Sequence, residues 1–554
     1  MPFRNPTNLT GPLTPYRGPT LTRLRQAGTE IIQEAPRSAY LKVCPSTRFI
    51  LIPTRYFLKL LCVLFLIGAQ SRIASAVATK KPKAKPAVTQ SRAGSSTKAK
   101  GTAGKAWAKS TTSKTKPGGK KARVPRTLRT IPVSPAVRES ALDRVQGYMA
   151  ASATSPFIYP GMMRHFFQAL AEEQKERSGG GAGTFSKTVR VLQYGDSHTA
   201  ADIFTGEMRA RMQQQFGDGG LGFQYPGHPF AGYHLAGSLR SQTTGWLTEG
   251  NRFTALGDGD LGMGGISIST AQPDQAITLQ TTCTTMNLHF LQQAGGGRLQ
   301  FSDNGVALST IETGTATGSL AGAASGGAGT FAYSCTPGMH DFEFRTLDRA
   351  PVKLLGIVTE QPGITYECIG LNGAVAPVML RWNQDLFSEY LRQRAPHLIV
   401  LAYGTNEAGS SSEHLESYPA EFGRILDTLH KVVPEASVLV IGPEDRAVSA
   451  GRGRRGGWHP FVGTDRIITM QKEACRTHGC TFWDTRRRMG GFGSMQQWVA
   501  AGWAQPDRTH LTGTGYRALA DALYADLVHA YNVYQEHPDK PMEESRNGKA
   551  PRNH

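Results

Sequence analysis

The stretch Val189–His198 constrains the fold more than any other, because it predicts a β-strand that stops abruptly at a tight turn. Apolar residues lead into Gly195-Asp196-Ser197, and a helical spacing of apolar residues follows over about 201–216. A serine at such a turn presents its hydroxyl at the carboxyl edge of a sheet. Its backbone N–H lies at a helix N-terminus, where an oxyanion can be stabilised. A serine that only caps the helix has the same local pattern, so the rest of the chain must distinguish a nucleophile from a structural turn.

Strands and helices alternate through the second half of the chain. Short apolar runs predict buried strands at 364–369, 397–401, 437–441 and 482–483. Longer periodic stretches predict helices at 378–394, 419–432 and 514–534. This alternation is typical of an α/β fold in which helices cover both faces of a parallel sheet. In such sheets the chemistry takes place at the carboxyl ends of the strands.

Residues 222–358 differ in character from the segments on either side. They are rich in Gly, Thr, Ser and Gln, and alternating apolar and polar residues occur at 276–280 and 298–301. Asp303-Asn304-Gly305 is a hairpin-type turn. We therefore predict an inserted β-sandwich that divides the α/β domain into two parts, 131–221 and 359–535.

Polar motifs follow the predicted strands at three further places. They are Gly370-Leu371-Asn372-Gly373-Ala374, Gly404-Thr405-Asn406-Glu407 and, before the last helix, Asp507-Arg508-Thr509-His510. An ester-cleaving serine needs a base, an orienting carboxylate and oxyanion donors, and these motifs contain all three. Each motif alone is common, but their joint position at strand ends indicates a nucleophilic serine. We expect no metal and no cofactor.

The four motifs resemble those of the SGNH (GDSL-type) hydrolases, a family named for its Ser, Gly, Asn and His residues. Within that family the chain is similar to exported peptidoglycan O-acetylesterases. The shared features are Gly-Asp-Ser-His in the first motif, a β insert before the second, Met489–Ser494, and the ending Asp-x-x-His-Leu-Thr. The resemblance covers about 160–535. It implies an α/β fold of three αβα layers with a parallel, flavodoxin-like sheet and an inserted β-sandwich.

The resemblance also implies a role for each matching residue. Ser197 is the expected nucleophile, His510 its general base, and Asp507 the carboxylate that orients His510. The expected oxyanion hole consists of the Ser197 N–H, the Gly373 N–H and the Asn406 side chain.

Other residues near the motifs have predicted supporting roles. His198 is adjacent to Ser197, so we expect it to form a pocket wall rather than act as a second base. Asp196 is expected to accept hydrogen bonds from backbone N–H groups of the turn. Three aromatic residues of the insert are predicted to stack on a sugar, with a core position as the alternative: Tyr233, Trp246 and Phe253.

The N-terminal quarter carries an export signal. Arg48, Arg55 and Lys59 precede an apolar run at 60–69, and Ala74-Ser75-Ala76 follows the run. This pattern predicts a secretory signal peptide cleaved after about Ala76, with a leader that is long or begins upstream of the true start. The protein is therefore expected in the periplasm or secreted.

The formal net charge of +20 is concentrated in the same quarter. Residues 80–130 hold sixteen Lys or Arg and no acidic residue, whereas 36 basic residues face 40 acidic ones from 131 onward. The composition of 77–130 predicts a disordered linker. It suits binding to an anionic cell wall or membrane surface, with a plain spacer as the alternative. A nucleic-acid arm does not fit an exported protein. Residues 536–554 are predicted to be a polar tail.

Five cysteines remain after the predicted cleavage. Export permits disulfides, and the positions favour pairing Cys283 with Cys335 and Cys475 with Cys480. Cys368, in an apolar run, is then the expected free thiol.

These features together predict an exported serine esterase that removes O-acetyl groups from an extracytoplasmic polysaccharide. The resemblance favours peptidoglycan. Alternatives are an esterase or acyltransferase acting on an exopolysaccharide such as cellulose, and a non-catalytic polysaccharide-binding scaffold.

Overall fold

The computed structural model describes residues 133–151, 156–178, 188–252, 254–315, 326–450 and 457–538. All of them belong to one compact unit. The predicted signal peptide, the basic linker, Phe253 and nearly all of the predicted polar tail lie outside these ranges. No helix in the described ranges is both long enough and apolar enough to cross a membrane.

The strands are numbered in chain order. They are β1 Phe157–Ile158, β2 Thr188–Gly195, β3 Gly222–Gln224, β4 Leu239–Gln242, β5 Leu247–Glu249, β6 Ser267–Thr270, β7 Ala276–Gln292, β8 Arg298–Asp303, β9 Val306–Glu312, β10 Gly327–Thr346, β11 Val352–Glu360, β12 Gly363–Gly370, β13 Leu398–Ala402, β14 Ser437–Ile441, β15 Ala447–Ser449, β16 Trp458–Pro460 and β17 Thr481–Trp483.

The α-helices are numbered in the same way. They are α1 Pro135–Ala150, α2 Arg164–Ser178, α3 Ser197–Ala200, α4 Phe204–Phe216, α5 Gln384–Arg394, α6 Ser412–Val432, α7 Gly463–His478, α8 Thr485–Arg488, α9 Met495–Ala501 and α10 Gly513–Glu536. Short 3₁₀ helices occur at Pro160–Met163, Gly262–Gly264, Ala376–Arg381 and Glu407–Gly409.

The central sheet has the predicted parallel arrangement. Its strand order is β1-β17-β14-β13-β2-β12, in which all neighbours are parallel except the antiparallel edge strand β1. The five parallel strands thus have the flavodoxin-like order 2-1-3-4-5 when counted along the chain. Strand β2 lies between β12 and β13, so Gly195 pairs with Gly370 on one side and Ala402 on the other. The sheet therefore brings three of the four motifs to one edge.

Helices cover both faces of this sheet, as predicted. Alternate residues of β2 point in opposite directions: Val189 and Val191 pack with helices α1, α2, α4 and α10, whereas Leu192 and Tyr194 pack with α5, α6 and α7. Buried strands with apolar residues on both faces are typical of parallel sheets. The three-layer αβα prediction is confirmed.

Two predicted helices differ from the observed ones at their starts. Helix α6 begins at Ser412, before the predicted start at 419, and includes Pro419. The stretch predicted as one helix from 378 is divided into a 3₁₀ helix and α5, because the Asn383 side chain caps α5 and accepts from the N–H groups of Asp385 and Leu386. Both errors concern the start of a helix, which depends on local features such as caps and prolines.

The insert consists of antiparallel strands from β3 to β11. Nine strands form it, and hydrogen bonds join all nine into one sheet built around the long strands β7 and β10. The sheet encloses its own core, which includes Leu288, Phe301 and Phe344. The predicted turn joins β8 to β9, with Asn304 and Gly305 both at positive φ, as a two-residue hairpin requires.

The cysteines follow part of the predicted pattern. Cys475 and Cys480 form a disulfide. The sulfur atoms of Cys283 and Cys335 lie 3.7 Å apart across β7 and β10 but are not bonded, and Cys368 is a buried free thiol.

Candidate active site

Ser197 is the first residue of the short helix α3, and only Asp196 separates it from the end of β2. The side chain of Asp196 caps this helix, and its Oδ1 accepts a hydrogen bond from the His198 N–H at 2.9 Å. Gly195 has no space for a side chain, because a Cβ there would clash with Thr199 and lie 2.8 Å from the Ala402 carbonyl oxygen. The glycine therefore permits the tight turn that presents Ser197 at the sheet edge.

A continuous hydrogen-bonded chain links the three predicted catalytic residues. Ser197 Oγ lies 3.0 Å from His510 Nε2, and His510 Nδ1 lies 2.8 Å from Asp507 Oδ2. The side chains of His510 and Asp507 are 36% and 42% exposed, so a substrate can reach them. This is the geometry of a serine, a base and an orienting carboxylate.

The loop before α10 fixes the carboxylate. Asp507 Oδ1 accepts from the N–H groups of Thr509 and His510, both at 3.0 Å. Partial burial raises the pKa of Asp507, but the hydrogen bonds from the His510 side chain and from the two N–H groups outweigh it and lower the pKa below its ordinary value. Asp507 is therefore ionised at neutral pH and able to stabilise a protonated His510.

His198 forms a wall behind the catalytic histidine. Its ring stacks on that of His510, with centroids 5.1 Å apart, and its Nδ1 lies 2.9 Å from the Tyr516 hydroxyl. Burial lowers the pKa of His198, and the neighbouring His510 lowers it further, against an opposing effect of Asp196. A neutral, buried His198 agrees with the predicted wall.

Asp196 lies at the centre of the turn. Burial raises its pKa to about 6. Besides capping α3, it accepts a hydrogen bond at its Oδ2 from Asn406 Nδ2 at 3.1 Å. These contacts give Asp196 the structural position predicted for it, and they connect the first motif to the third.

Gly373 and Asn406 lie at the next two strand ends. Gly373 has φ +74°, a conformation that favours glycine. Asn406 Nδ2 donates to the Ala374 carbonyl oxygen at 2.9 Å as well as to Asp196. Both of its N–H bonds are thus directed at protein acceptors, so a substrate oxyanion must take the place of one of them.

A cleft of about 780 Å³ opens beside Gly373 and Asn406. It lies between the 3₁₀ helix Ala376–Arg381 and α6, and its walls include Val378 and Leu415. Glu407 lies at its base, where Oε1 accepts from the Ala376 N–H at 2.7 Å and Oε2 has no partner among the described residues. Burial raises the pKa of Glu407 to about 7.

The structure contradicts the predicted sugar-stacking role for Tyr233 and Trp246, and the third residue of that prediction, Phe253, lies outside the described residues. Tyr233 is 6% exposed and packs against Tyr225 and Phe230, and its hydroxyl accepts a hydrogen bond from the Tyr225 N–H. Trp246 is 8% exposed and belongs to the core of the insert. Neither ring has a free face for a ligand, so both are core residues.

Sequence reasoning missed two residues close to the site. Glu444 lies 3.4 Å from His198 Nδ1, and burial raises its pKa to about 7. It comes three residues after the end of β14, so a search for polar residues near strand ends could have found it. Tyr516 lies within α10, and no sequence pattern pointed to it as a site residue. In the described part of the chain, no group of three or more His, Cys, Asp or Glu side chains could hold a metal ion.

A nucleophilic serine at the edge of a parallel sheet, with a histidine, a carboxylate and nearby N–H donors, defines a serine esterase. In this geometry Ser197 can attack an ester carbonyl carbon while its proton passes to His510 Nε2, and nearby N–H donors can hold the oxyanion. His510 then gives the proton to the leaving alcohol. Water then hydrolyses the acyl-enzyme in the same way: it gives a proton to His510 and attacks the acyl carbon, and Ser197 leaves with the proton from His510.

Residues 334–518 match the GDSL-like lipase/acylhydrolase family. Over these residues the chain is similar to that family, which supports the resemblance of its four motifs to those of the SGNH hydrolases. Ser197 lies outside the matched residues, and the structure joins it to them through its hydrogen bond to His510.

One solved structure supports the same resemblance. The structure of a peptidoglycan O-acetylesterase in action is 25% identical, with a TM-score of 0.54, and the match covers 70% of this chain and 98% of that one. A family two carbohydrate esterase from Cellvibrio japonicus is 10% identical, with a TM-score of 0.23 over 53% of this chain and 98% of that one. The second likeness is too weak to support an argument. No curated protein matches the chain in sequence.

Proposed function

We propose that the protein removes O-acetyl groups from peptidoglycan outside the cytoplasmic membrane. The observation that carries the proposal is the hydrogen-bonded chain from Ser197 through His510 to Asp507. It occurs in a fold that matches 98% of a peptidoglycan O-acetylesterase. The predicted signal peptide at 48–76 supports a location outside the cytoplasmic membrane.

The test is the release of acetate from O-acetylated peptidoglycan. We expect the purified protein to release acetate, and Ser197→Ala to release none while its circular dichroism spectrum is unchanged. Acetate release by the Ser197→Ala variant at the wild-type rate would remove Ser197 from the mechanism.

The same assay with O-acetylated cellulose tests the exopolysaccharide alternative. A higher kcat/KM on cellulose than on peptidoglycan would reverse the assignment of the substrate. Transfer of acetyl from p-nitrophenyl acetate to an added sugar, in preference to water, would indicate an acyltransferase.

Export has its own test. The signal pattern predicts that protein recovered from outside the cytoplasmic membrane begins at about Val77. Mass spectrometry of its N-terminal peptide measures this directly. Recovery of the uncleaved chain in the cytoplasm would contradict it.

A further inference from the structure

The catalytic geometry determines on which side of the site the alcohol part of the ester must lie. His510 Nε2 gives its proton to the leaving oxygen, so the leaving alcohol contacts the His510 side of Ser197. The oxyanion donors Gly373 and Asn406 lie at other strand ends. If the substrate is a saccharide ester, as the proposed function holds, its sugar ring is this leaving group.

Arg508 is the charged residue of the loop between Asp507 and His510. Its φ of +58° is unusual for a residue with a side chain. Its carbonyl oxygen accepts a hydrogen bond from the Ala447 N–H at 3.0 Å. This bond attaches the two-stranded hairpin β15–β16 to the catalytic loop, so the hairpin forms a border of the site next to His510.

The Arg508 guanidinium lies over the ring of Trp458, the first residue of β16. The distance from Arg508 Cζ to the ring centroid is 4.0 Å. Trp458 is only half-buried. A partly exposed indole therefore contacts a side chain of the loop that carries His510.

Arg508 keeps donors for a ligand. Its Nε donates to Gln496 Oε1 at 3.2 Å and its Nη1 to the Pro506 carbonyl oxygen at 3.0 Å. Within the described ranges it forms no ion pair with a carboxylate, and no protein acceptor is found for its Nη2. The two bonds it does make hold the guanidinium plane in place, which leaves Nη2 oriented and available.

We propose that Trp458 and Arg508 form the subsite that binds the sugar ring carrying the ester. A sugar ring has an apolar C–H face and a rim of oxygen acceptors. A half-buried indole with an oriented guanidinium over one of its faces offers contacts to both parts, since binding sites combine apolar and aromatic walls with a few placed polar groups. The proposal rests on the proposed function, because it requires a saccharide ester as substrate.

The alternative is that the stack of Arg508 on Trp458 only stiffens the hairpin. The two hypotheses predict different values for the ratio of two activities. The ratio compares kcat/KM for O-acetylated peptidoglycan with kcat/KM for p-nitrophenyl acetate, whose leaving group is not a sugar. A loss of stiffness lowers both activities and leaves the ratio unchanged, whereas loss of a sugar subsite lowers the ratio.

The variants are chosen to separate stacking, charge and surface area. Trp458→Ala removes the indole, and Trp458→Tyr keeps an aromatic face. Arg508→Lys keeps the charge and a non-glycine residue at the positive φ, but it loses the planar fork of donors. Leu239→Ala is the matched control, since Leu239 is an apolar residue of β4 in the insert and is 70% exposed.

We expect Trp458→Ala to lower the ratio about tenfold, mainly through KM for the saccharide. Trp458→Tyr should restore most of it, Arg508→Lys should lower it severalfold, and Leu239→Ala should leave it unchanged. An unchanged ratio in Trp458→Ala, with the wild-type protein active on the saccharide, would overturn the subsite alone. If the wild-type protein hydrolyses p-nitrophenyl acetate but no O-acetylated saccharide, both the subsite and the proposed function are wrong.

Discussion

Two stacked histidines lie beside the nucleophile, and their hydrogen bonds decide which one is the base. His510 contacts Ser197 Oγ at one nitrogen and a carboxylate at the other. His198 contacts the Tyr516 hydroxyl, and its Nε2 is buried without a partner among the described residues. Two charged rings 5.1 Å apart would repel each other, so a neutral His198 allows His510 to become protonated during the reaction.

This arrangement predicts unequal effects of replacing the two histidines. His510→Ala should lower kcat for p-nitrophenyl acetate by at least about 10³. The double variant His198→Phe/Tyr516→Phe keeps a ring against His510 and leaves no hydroxyl unpaired, so we expect a loss of less than about tenfold. Steady-state kinetics measures both. A loss in the double variant as large as that in His510→Ala would make His198 part of the proton transfer.

Asn406 gives a graded test of the oxyanion hole. Asn406→Ala should lower kcat by about 10²–10³, the usual result of removing one such donor, with little change in KM. Its side chain also binds Asp196 and the Ala374 carbonyl oxygen, so the unfolding midpoint must be measured alongside the rate. An effect confined to KM would mean that Asn406 binds the substrate instead.

At the level of single residues, the sequence could predict the site residues that lie at strand ends. It could not predict contacts between residues that are far apart in the chain. Ser197, Gly373, Asn406 and the Asp507–His510 loop follow strands or precede a helix, and the sheet brings the strand ends together. The stack of Arg508 on Trp458 joins residues 50 positions apart, which no local pattern records. Tyr233 and Trp246 were misplaced because an aromatic residue in a β segment has the same local pattern whether it faces core or solvent.

Among the elements, the two turns that follow β12 and β13 are joined by a buried carboxyl. Glu407 Oε1 accepts from the Ala376 N–H, and burial raises the pKa of Glu407 from 4.5 to about 7. The folded protein therefore holds this proton up to about pH 7, whereas the unfolded chain releases it near pH 4.5. Between these values the folded state binds more protons, so the free energy of unfolding falls as the pH rises.

The expected fall is about 3 kcal/mol between pH 4.5 and pH 8 for this one group. Glu407→Gln, which cannot ionise, should lack it. Urea unfolding of both proteins at several pH values measures the difference, and this difference cancels the contributions of Asp196 and Glu444, whose pKa values are also raised. Parallel pH profiles for the two proteins would show that Glu407 is ionised in the folded state.

Strands β7 and β10 make a second element-scale prediction. The sulfur atoms of Cys283 and Cys335 are 3.7 Å apart, so a small side-chain rotation can join them in an oxidising compartment. A non-reduced digest of protein secreted under oxidising conditions should contain the linked peptides. Cys368 should be alkylated only after denaturation. A disulfide that includes Cys368 would contradict both expectations.

The sequence predicted the elements of the central sheet better than those of the insert. Buried parallel strands are continuous apolar runs, so the predicted bounds of β12, β13 and β14 lie within about one residue of the observed ones. In the insert, alternation predicts strands and one hairpin turn. It does not show that β7 and β10 are 17 and 20 residues long and form the centre of the sheet. Pairing between distant strands depends on contacts that the local sequence does not contain.

For the whole molecule, charge and catalysis are separated along the chain. The segment 77–130 holds most of the excess positive charge and lies before every catalytic motif, whereas residues from 131 onward are slightly acidic. Exposed charges act over about 8 Å at physiological ionic strength. The basic segment can therefore concentrate the enzyme on an anionic matrix without contributing to the chemistry at Ser197.

Deleting residues 77–130 tests this separation. We expect kcat/KM for p-nitrophenyl acetate to remain unchanged, because every residue of the hydrogen-bonded catalytic chain lies from Ser197 onward. Binding to isolated cell wall should fall, and binding of the intact protein should weaken as salt is added. A matched variant with a Gly/Ser segment of equal length separates charge from length: it should bind as weakly as the deletion. If the deletion also abolishes hydrolysis of the small ester, the segment is part of the folded enzyme. If the Gly/Ser variant binds cell wall as well as the intact protein, the affinity lies in the catalytic body.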